Sequence, residues 1–246
     1  MNGTGGGPGS NQYGPRGVGK RSTRKRPESN IDLGAEERLS SDREWDAHSA
    51  QYGETPLEEG DREFLTAKYQ HIVTLDDVNL AESENIAMAL DWLIDNPFGA
   101  PDTLLNQGAL LGIHRRMFGN VWTWAGRLRT RETNMGVDPG TISEQWEVLL
   151  RNTLAQIKLG SFPIDEVVVR LHRGMLSIHC FTNGNGRHAR VVANELARSL
   201  GLGFGRYTWG RRSGGDREEI RREYLDALRL ADVTGEYGPL VKIALS

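Results

Sequence analysis

The stretch SIHCFTNGNGRHAR, residues 177–190, places a histidine, a loop of glycine and asparagine, and two arginines in one short segment. An apolar helical pattern precedes it, and Gly184 and Gly186 are too flexible to continue that helix. A second helix begins near Arg187. Backbone N–H groups at a helix start have no intrahelical partner and carry the positive end of the helix dipole. The stretch therefore predicts a helix–loop–helix unit that offers an anion site beside a histidine.

The glycines and arginines of this stretch predict a socket for a chain of phosphates. Gly184 and Gly186 allow successive amides to converge on one anion. Arg187 and Arg190 are three residues apart, so two forked guanidinium groups lie on one helix face. His179 lies across the loop and has the ordinary pKa of a general base near neutrality. Its place at a helix end favours the protonated imidazole.

The motif HCFTNGNGRHAR resembles the signature of the Fic family, His-Pro-Phe-x-Asp/Glu-Gly-Asn-Gly-Arg-x-x-Arg. The stretch VWTWAGRLRTRETNMGVDP is similar to that family's flap, and GNGRHAR preceded by asparagine, with YGPL near the end, is similar to the branch called mobile mystery protein B. The resemblance implies an all-α, Fido-type helical bundle with a small β-hairpin flap, whereas the residues of 124–140, interrupted by glycines, indicate either a long loop or a small hairpin. It divides the chain into a tail (1–50) and a Fic domain (51–246), with the flap at 124–140 and the motif at 179–190.

The same resemblance implies an activity and assigns roles to matching positions. In Fic proteins the histidine, here His179, deprotonates a Ser, Thr or Tyr hydroxyl of a target protein. That oxygen then attacks the α-phosphorus of ATP, and pyrophosphate leaves. Phe181 would pack under the loop, and the flap would align an extended target segment by backbone pairing. The residues expected to hold the triphosphate are Gly184, Asn185, Gly186, Arg187 and Arg190.

Two positions depart from the family pattern. Cys180 stands where proline is usual, which removes some rigidity from the loop entry. Asn183 stands where most active members bind Mg²⁺ through Asp or Glu, and an amide oxygen is a hard but uncharged ligand, so a weaker Mg²⁺ site is expected. Other readings stay open: Doc-like phosphate transfer, transfer of UMP or GMP, removal of AMP from modified proteins, or a catalytically weak nucleotide-binding module.

A candidate regulatory residue precedes the motif. Many Fic proteins restrain themselves with a helix that carries Ser/Thr-x-x-x-Glu-Gly/Asn. The segment LAESEN (80–85) supplies the glutamate, Glu84, but has Leu80 at the hydroxyl position. Within a predicted helix over 75–95, Glu84 either pairs with Arg190 and excludes the γ-phosphate, or is an exposed helix carboxylate. The sequence leaves both readings open.

Apolar residues at helical spacing run through most of the chain from about residue 55. Thr74 and Asp77 have capping-box spacing at the start of one helix, and Pro97 ends it. His172 is expected in the core and His188 on the surface. The other predicted helices cover 101–119, 142–158, 164–179, 187–200, 215–231 and 238–244, and the aromatic pair Tyr207 and Trp209 either flanks a base pocket or packs internally.

Composition excludes several classes of protein. The chain has 246 residues, a net charge of −3 and one cysteine, so it is not a cationic nucleic-acid binder and has no internal disulfide. No run approaches the ~18 apolar residues of a membrane span, and without a secretory signal a cytoplasmic location is expected. Positions 1–20 are rich in glycine and should be disordered. The basic run KRSTRKR (20–26) is either a solvated tail or a tether to nucleic acid or an acidic partner.

Overall fold

A computed structural model describes residues 59–72, 74–211, 214 and 216–246. The predictions made for the tail (1–50), including its basic run, lie outside the described residues.

The described chain forms eight α-helices, which confirms the all-α prediction. They are α1 (Leu75–Asp95), α2 (Pro101–Leu104), α3 (Gln107–Phe118), α4 (Ile142–Leu159), α5 (Ile164–Ile178), α6 (Asn185–Ser199), α7 (Arg217–Thr234) and α8 (Gly238–Leu245). Short 3-10 helices cover Glu59–Phe64 and Pro139–Thr141. In this part of the chain no helix is both long and apolar enough to cross a membrane.

Side-chain caps fix where the first helices begin. Thr74 accepts a hydrogen bond from the backbone N–H of Asp77 at 3.2 Å, which confirms the predicted start of α1. The single helix predicted over 101–119 is wrong, because the chain breaks into α2 and α3. The side chain of Asn106 causes the break: it accepts from the backbone N–H of Ala109 at 2.9 Å and so starts a new helix.

Helix α5 occupies the centre of the bundle, where it packs against α4, α6 and α8, while α1 packs on α3. Its core face follows the helical spacing predicted from sequence, with Val167, Val168, Leu171, Met175 and Ile178 all buried. Because α5 and α6 are also in contact, the loop between them lies at the end of a well-packed helix pair. The loop that carries the motif is therefore built on a rigid base.

The flap, residues 124–140, is a long loop and does not form the small β-hairpin, the other structure predicted for it. It contains no strand, and the isolated bridge that the described chain shows, between Leu65 and Trp122, lies before it. Gly126 and Gly136 have positive φ angles, which turn the backbone away from an extended path. The guanidinium of Arg129 donates to the carbonyls of Arg131 and Val137 on opposite sides of the flap. A side chain thus takes the place of cross-strand hydrogen bonds.

Candidate active site

His179 lies at the C-terminal end of α5, where its backbone takes a left-handed conformation with φ 54° and ψ 63°. Non-glycine residues rarely adopt this conformation, and where they do the position is often functional. The side chain is 4% exposed, and neither ring nitrogen has a hydrogen-bond partner within the described chain. Buried imidazole nitrogens are normally paired, so this pair of atoms indicates a place for a missing partner.

The imidazole of His179 is neutral, contrary to the expectation from its position at a helix end. Burial lowers its pKa from 6.5 to about 4, and the positive charge of Arg129 also lowers it. The guanidinium of Arg129 donates to the carbonyl of His179 at 2.6 Å and therefore offsets the negative end of α5. A neutral ring is the form that accepts a proton from a hydroxyl.

The loop after His179 is anchored from below by Phe181. This ring is buried, stacks on the ring of His114 with centroids 3.6 Å apart, and meets Trp146 edge-on. His114 accepts a hydrogen bond from the N–H of Gly126 in the flap and contacts the carbonyl of Asn183 at 3.1 Å. Since its Nδ1 is the acceptor, its Nε2 carries the proton and donates. His114 thus joins the flap to the motif loop.

Asn185, predicted to hold phosphate, instead ties the loop to itself. Its Oδ1 accepts from the N–H of Phe181 at 2.9 Å and its Nδ2 donates to the carbonyl of the same residue at 2.8 Å. The amide side chain matches a peptide group in both directions, and this pairing leaves Asn185 buried. In the described chain the side chain of Asn185 therefore fixes the shape of the loop, and its role in holding phosphate stays a prediction.

The two motif glycines differ in their surroundings. Gly184 has φ 78°, and a Cβ there would lie 2.5 Å from the ring of Phe118, so only glycine fits. Its N–H donates to Oδ1 of Asn183 at 2.6 Å instead of facing a ligand. A Cβ on Gly186 would meet nothing within 4 Å. The open side of the α6 N-terminus is therefore at Gly186, where the helix dipole favours an anion.

Both motif arginines are half-buried on α6. The guanidinium of Arg187 contacts Glu82 of α1 at 2.5 Å and lies over the ring of Phe118. The guanidinium of Arg190 lies 5.5 Å from the ring centroid of Tyr224, whose hydroxyl contacts Nε2 of His172 at 2.8 Å. The two guanidinium groups are thus each supported by a different neighbouring helix.

The carboxylate that meets a motif arginine is Glu82; of the two positions left open for Glu84 the structure shows the exposed helix carboxylate, and its regulatory role stays a prediction. Glu84 is exposed on α1, whereas the side chain of Glu82 is 2% exposed and also accepts from the indole N–H of Trp122. Residues two positions apart in an α-helix point about 200° away from each other, so Glu82 and Glu84 cannot both face the same neighbour. The sequence does contain a signal for Glu82, because it falls on the buried stripe of α1, which comprises Val78, Ala81, Glu82, Asn85, Ala89 and Leu93.

Two further expectations are decided by burial. His188, predicted on the surface, is 1% exposed and its Nε2 contacts the carbonyl of Leu110 at 3.0 Å. His172 is in the core, as expected. Tyr207 and Trp209 are buried, and Trp209 stacks on His172 at 4.0 Å, so these aromatics pack internally. The alternative that they flank a base pocket finds no support in their positions.

The metal position of the motif is occupied by Asn183, which supplies no carboxylate. Asn183 offers one uncharged oxygen, and that oxygen already accepts the N–H of Gly184. Mg²⁺ sites in nucleotide enzymes use one or two carboxylates together with phosphate oxygens. Across residues 59–72, 74–211, 214 and 216–246 no group of three or more His, Cys, Asp or Glu could hold a metal ion. The role of Asn183 as a metal ligand stays a prediction.

Comparison with known proteins gives the same assignment from sequence and from shape. A sequence model described as Fic/DOC family matches residues 104–197. The chain is similar to the protein adenylyltransferase fic-1 of Caenorhabditis elegans, with 33% identity over 98 residues, and to that of Caenorhabditis briggsae, with 30% identity. Each of these matches covers 38% of this chain and 19% of the relative's length.

Solved Fic structures share the fold. The N-terminal FIC domain of Bep8 from Bartonella sp. 1-1C has a TM-score of 0.55 and 19% identity, covering 72% of this chain and 88% of that one. BepC from Bartonella tribocorum, solved with bound AMPPNP, has a TM-score of 0.54 and 15% identity, covering 76% and 96%. A Fic family protein from Desulfovibrio desulfuricans G20 has a TM-score of 0.57 and 17% identity, covering 87% and 62%. The narrower resemblance to mobile mystery protein B stays a prediction.

Proposed function

The chain carries a Fic/DOC family domain, and from this premise we propose that it transfers AMP from ATP to a Ser, Thr or Tyr hydroxyl of a protein target. The observation that supports the proposal most is the state of His179. Its ring is neutral and buried, with two nitrogens unpartnered in the described chain, and a loop of five residues (180–184) separates it from α6. A neutral imidazole beside an anion-binding helix start suits a base that acts next to a phosphate.

In this proposal the reaction is an in-line displacement at the α-phosphorus. His179 accepts the proton of the target hydroxyl as its oxygen forms a bond to the α-phosphorus. The bond from that phosphorus to the bridging oxygen breaks, and pyrophosphate leaves with the electron pair. The amide end of α6 at Gly186 and the guanidinium groups of Arg187 and Arg190 would neutralise the phosphate charge. Asn185 and Phe181 would hold the loop in shape.

The target is proposed to lie along the flap. Residues 130–132 of the flap are exposed, and the flap backbone passes over His179 at Gly136. An extended target segment pairing with this backbone would bring its hydroxyl to the histidine. The flap has no strand of its own, so we expect such pairing to draw residues 130–132 into an extended conformation. A cytoplasmic location, where ATP is available, is part of the same proposal.

Glu82 takes the restraining role that the sequence suggested for Glu84. It is an anion in contact with Arg187, so it competes with phosphate oxygens for that guanidinium. Mg²⁺ is proposed to arrive with the triphosphate and to be held mainly by phosphate oxygens, because the protein supplies no carboxylate at Asn183.

A catalytically weak nucleotide-binding module is the second candidate, and specific contacts favour it. The N–H of Gly184 and the side chain of Asn185 are engaged within the loop, and Arg187 is engaged by Glu82. The phosphate socket, which comprises the start of α6 and the two motif arginines, therefore has fewer hydrogen-bond donors turned toward a ligand than the motif predicts. Such a module would bind ATP without transferring any part of it.

ATP labelled at the α- or the γ-phosphate separates these functions. Each label is incubated with the full chain and a protein extract, and protein-bound label is measured beside ATP affinity. The proposal expects α-label on protein and no γ-label. Transfer of γ-label alone would replace it with phosphate transfer, and ATP binding without transfer of either label would establish the binding module.

A further inference from the structure

Arg129 is a buried cation that the motif does not include. It is 5% exposed, and each hydrogen bond of its side chain goes to a backbone carbonyl rather than to a carboxylate. A buried charge without an ion-pair partner is costly unless its donors are satisfied. The donors of this guanidinium are satisfied by backbone carbonyls from separate segments of the chain. The hydrogen bonds can form only while those segments stay close together.

The carbonyls that Arg129 contacts belong to two separate segments. In the flap they are those of Arg131, at 2.9 Å, and Val137. At the end of α5 they are those of Ile178, at 3.5 Å, and His179, at 2.6 Å. The last carbonyls of a helix lack intrahelical partners, so this side chain also caps α5. One guanidinium thus closes the flap and joins it to the helix that carries the histidine.

Backbone contacts reinforce the same junction. The N–H of Arg129 donates to the carbonyl of Cys180 at 2.9 Å, and the N–H of Val137 donates to that of Ile178 at 3.3 Å. Gly136 lies so close that a Cβ there would be 2.6 Å from Cβ of His179 and 2.7 Å from a guanidinium nitrogen. The flap backbone and the guanidinium therefore enclose the left-handed backbone of His179 from one side.

We propose that Arg129 is a positioning residue, whose guanidinium clamps the flap to the backbone of His179 and so fixes the imidazole for proton transfer. The catalytic meaning of this inference rests on the proposed function, whereas the clamp itself does not. Arginine suits the role because its planar fork carries five donors and can reach carbonyls in two segments. A lysine has the same charge but only one nitrogen, so it cannot close both sides.

The clamp is tested with three variants and a matched control. Arg129→Lys keeps the charge and removes the fork, and Arg129→Met removes both. Gly136→Ala keeps the arginine but forces the flap away from His179. The control is Arg127→Met, since Arg127 is an exposed arginine of the same flap. Circular dichroism selects the variants that keep the helical fold, and Arg129→Lys and Gly136→Ala decide the question if Arg129→Met does not fold.

Two readouts test the clamp without requiring any activity. Hydrogen exchange measures protection of the amides of Arg129 and Val137, and NMR of histidine-labelled protein measures the ring signals of His179. The clamp predicts faster exchange at both amides and shifted or broadened His179 signals in all three variants, with the interior of α5 and the Arg127→Met control unchanged. Wild-type protection and ring signals in Arg129→Lys would overturn it.

Kinetics then test the positioning role. Because a small misplacement of a catalytic group costs about a hundredfold in rate, α-label transfer should fall by about that factor in Arg129→Lys, with ATP affinity changed by less than about threefold. An equal loss in affinity and in transfer would overturn the positioning role. If wild type itself transfers no label, the proposed function fails, and the exchange and NMR results still decide whether the clamp exists.

Discussion

The carboxylate of Glu82 contacts the guanidinium of Arg187 at 2.5 Å, across 105 residues of sequence. The carboxylate is fully covered and also holds the indole of Trp122, whereas 20% of the arginine side chain is exposed. Glu82 is therefore held in place in the interior, whereas the guanidinium of Arg187 is partly accessible to solvent and to a ligand. Any phosphate group that binds in this socket must therefore compete with Glu82 for the guanidinium of Arg187.

Removing the charge of Glu82 should weaken the free protein and strengthen ATP binding. Glu82→Gln leaves a half-buried guanidinium without its anion, and we expect a loss of about 1–3 kcal/mol in the free energy of unfolding. ATP can replace that anion, so its affinity should rise by about three- to tenfold. Chemical denaturation and calorimetric titration measure the two effects.

The exposed Glu84→Gln is the control for this variant and should change neither quantity. Unchanged or weaker ATP binding in Glu82→Gln would show that the carboxylate does not compete with phosphate. Tighter binding in Glu84→Gln instead would favour the reading in which Glu84 restrains the site.

Adding a methyl group at Gly186 should separate stability from binding. A Cβ there meets no protein atom within 4 Å, and alanine is the better helix former, so Gly186→Ala should stabilise the free protein by up to about 1 kcal/mol. The same methyl occupies the side on which we place the phosphates, so ATP affinity should fall by about tenfold or more. Thermal melts with and without ATP measure both. Full ATP affinity in this variant would contradict the placement.

Gly184→Ala provides the contrast. A side chain there meets the ring of Phe118 and the φ of 78° is unfavourable for alanine, so the fold itself should lose about 1–3 kcal/mol. Wild-type stability in Gly184→Ala would mean that the loop is not packed as described.

A carboxylate at the metal position should make ATP binding depend more strongly on Mg²⁺ than it does in wild type. Asn183 supplies one uncharged oxygen, and Asn183→Asp adds the charge that Mg²⁺ prefers. We expect Mg²⁺ to raise the affinity of Asn183→Asp for ATP by about tenfold more than it raises that of wild type. Titration of ATP at several Mg²⁺ concentrations gives, for wild type and for Asn183→Asp, the slope of ATP affinity against Mg²⁺ concentration. Equal slopes would place the metal away from residue 183.

Acid should destabilise the fold through its buried histidines. Burial lowers the pKa of His172 to about 3, of His179 and His188 to about 4, and of His114 well below 6.5. Below pH 6.5 these histidines are protonated in the unfolded chain but stay neutral in the folded chain. The free energy of unfolding therefore falls as pH falls from 6.5 toward 4. Each histidine contributes up to about 1.4 kcal/mol per pH unit. Burial raises the pKa of Glu195, so protonation of this carboxyl stabilises the fold as pH falls. It is a single group, and the four histidines outweigh it.

Denaturation at a series of pH values tests this account of acid sensitivity. His188→Gln keeps a donor for the carbonyl of Leu110 and removes one titrating group, so its stability should decline less steeply between pH 6.5 and 4. A slope identical to that of wild type would mean that His188 is protonated in the fold.

How far the sequence predicts this site depends on how local each contact is. The motif loop and the end of α5 at His179 follow from residues that are close in the chain, and they were predicted. The packing of Phe181 was implied by the family resemblance, and its partners His114 and Trp146 lie far from it in sequence. Glu82 was missed because the family pattern directs attention to Glu84, although Glu82 falls on the apolar stripe that α1 buries.

Arg129 could not be predicted in the same way. Its partners are carbonyls, which every residue carries, and they are brought together by the irregular course of the flap. No residue type or spacing marks such a contact. The same holds for Asn185, whose amide can serve a ligand or a peptide group equally well, and for His188, whose burial depends on α3.

The central claim, that His179 removes the proton of the attacking hydroxyl, is tested most directly by comparing binding and transfer in His179→Ala. The account predicts that the variant binds ATP within about threefold of wild type, while transfer of α-label falls by about 10²–10⁴-fold. The exposed His71→Ala should transfer label at the wild-type rate. Transfer that persists in His179→Ala, or that falls only as much as ATP binding falls, would contradict the claim.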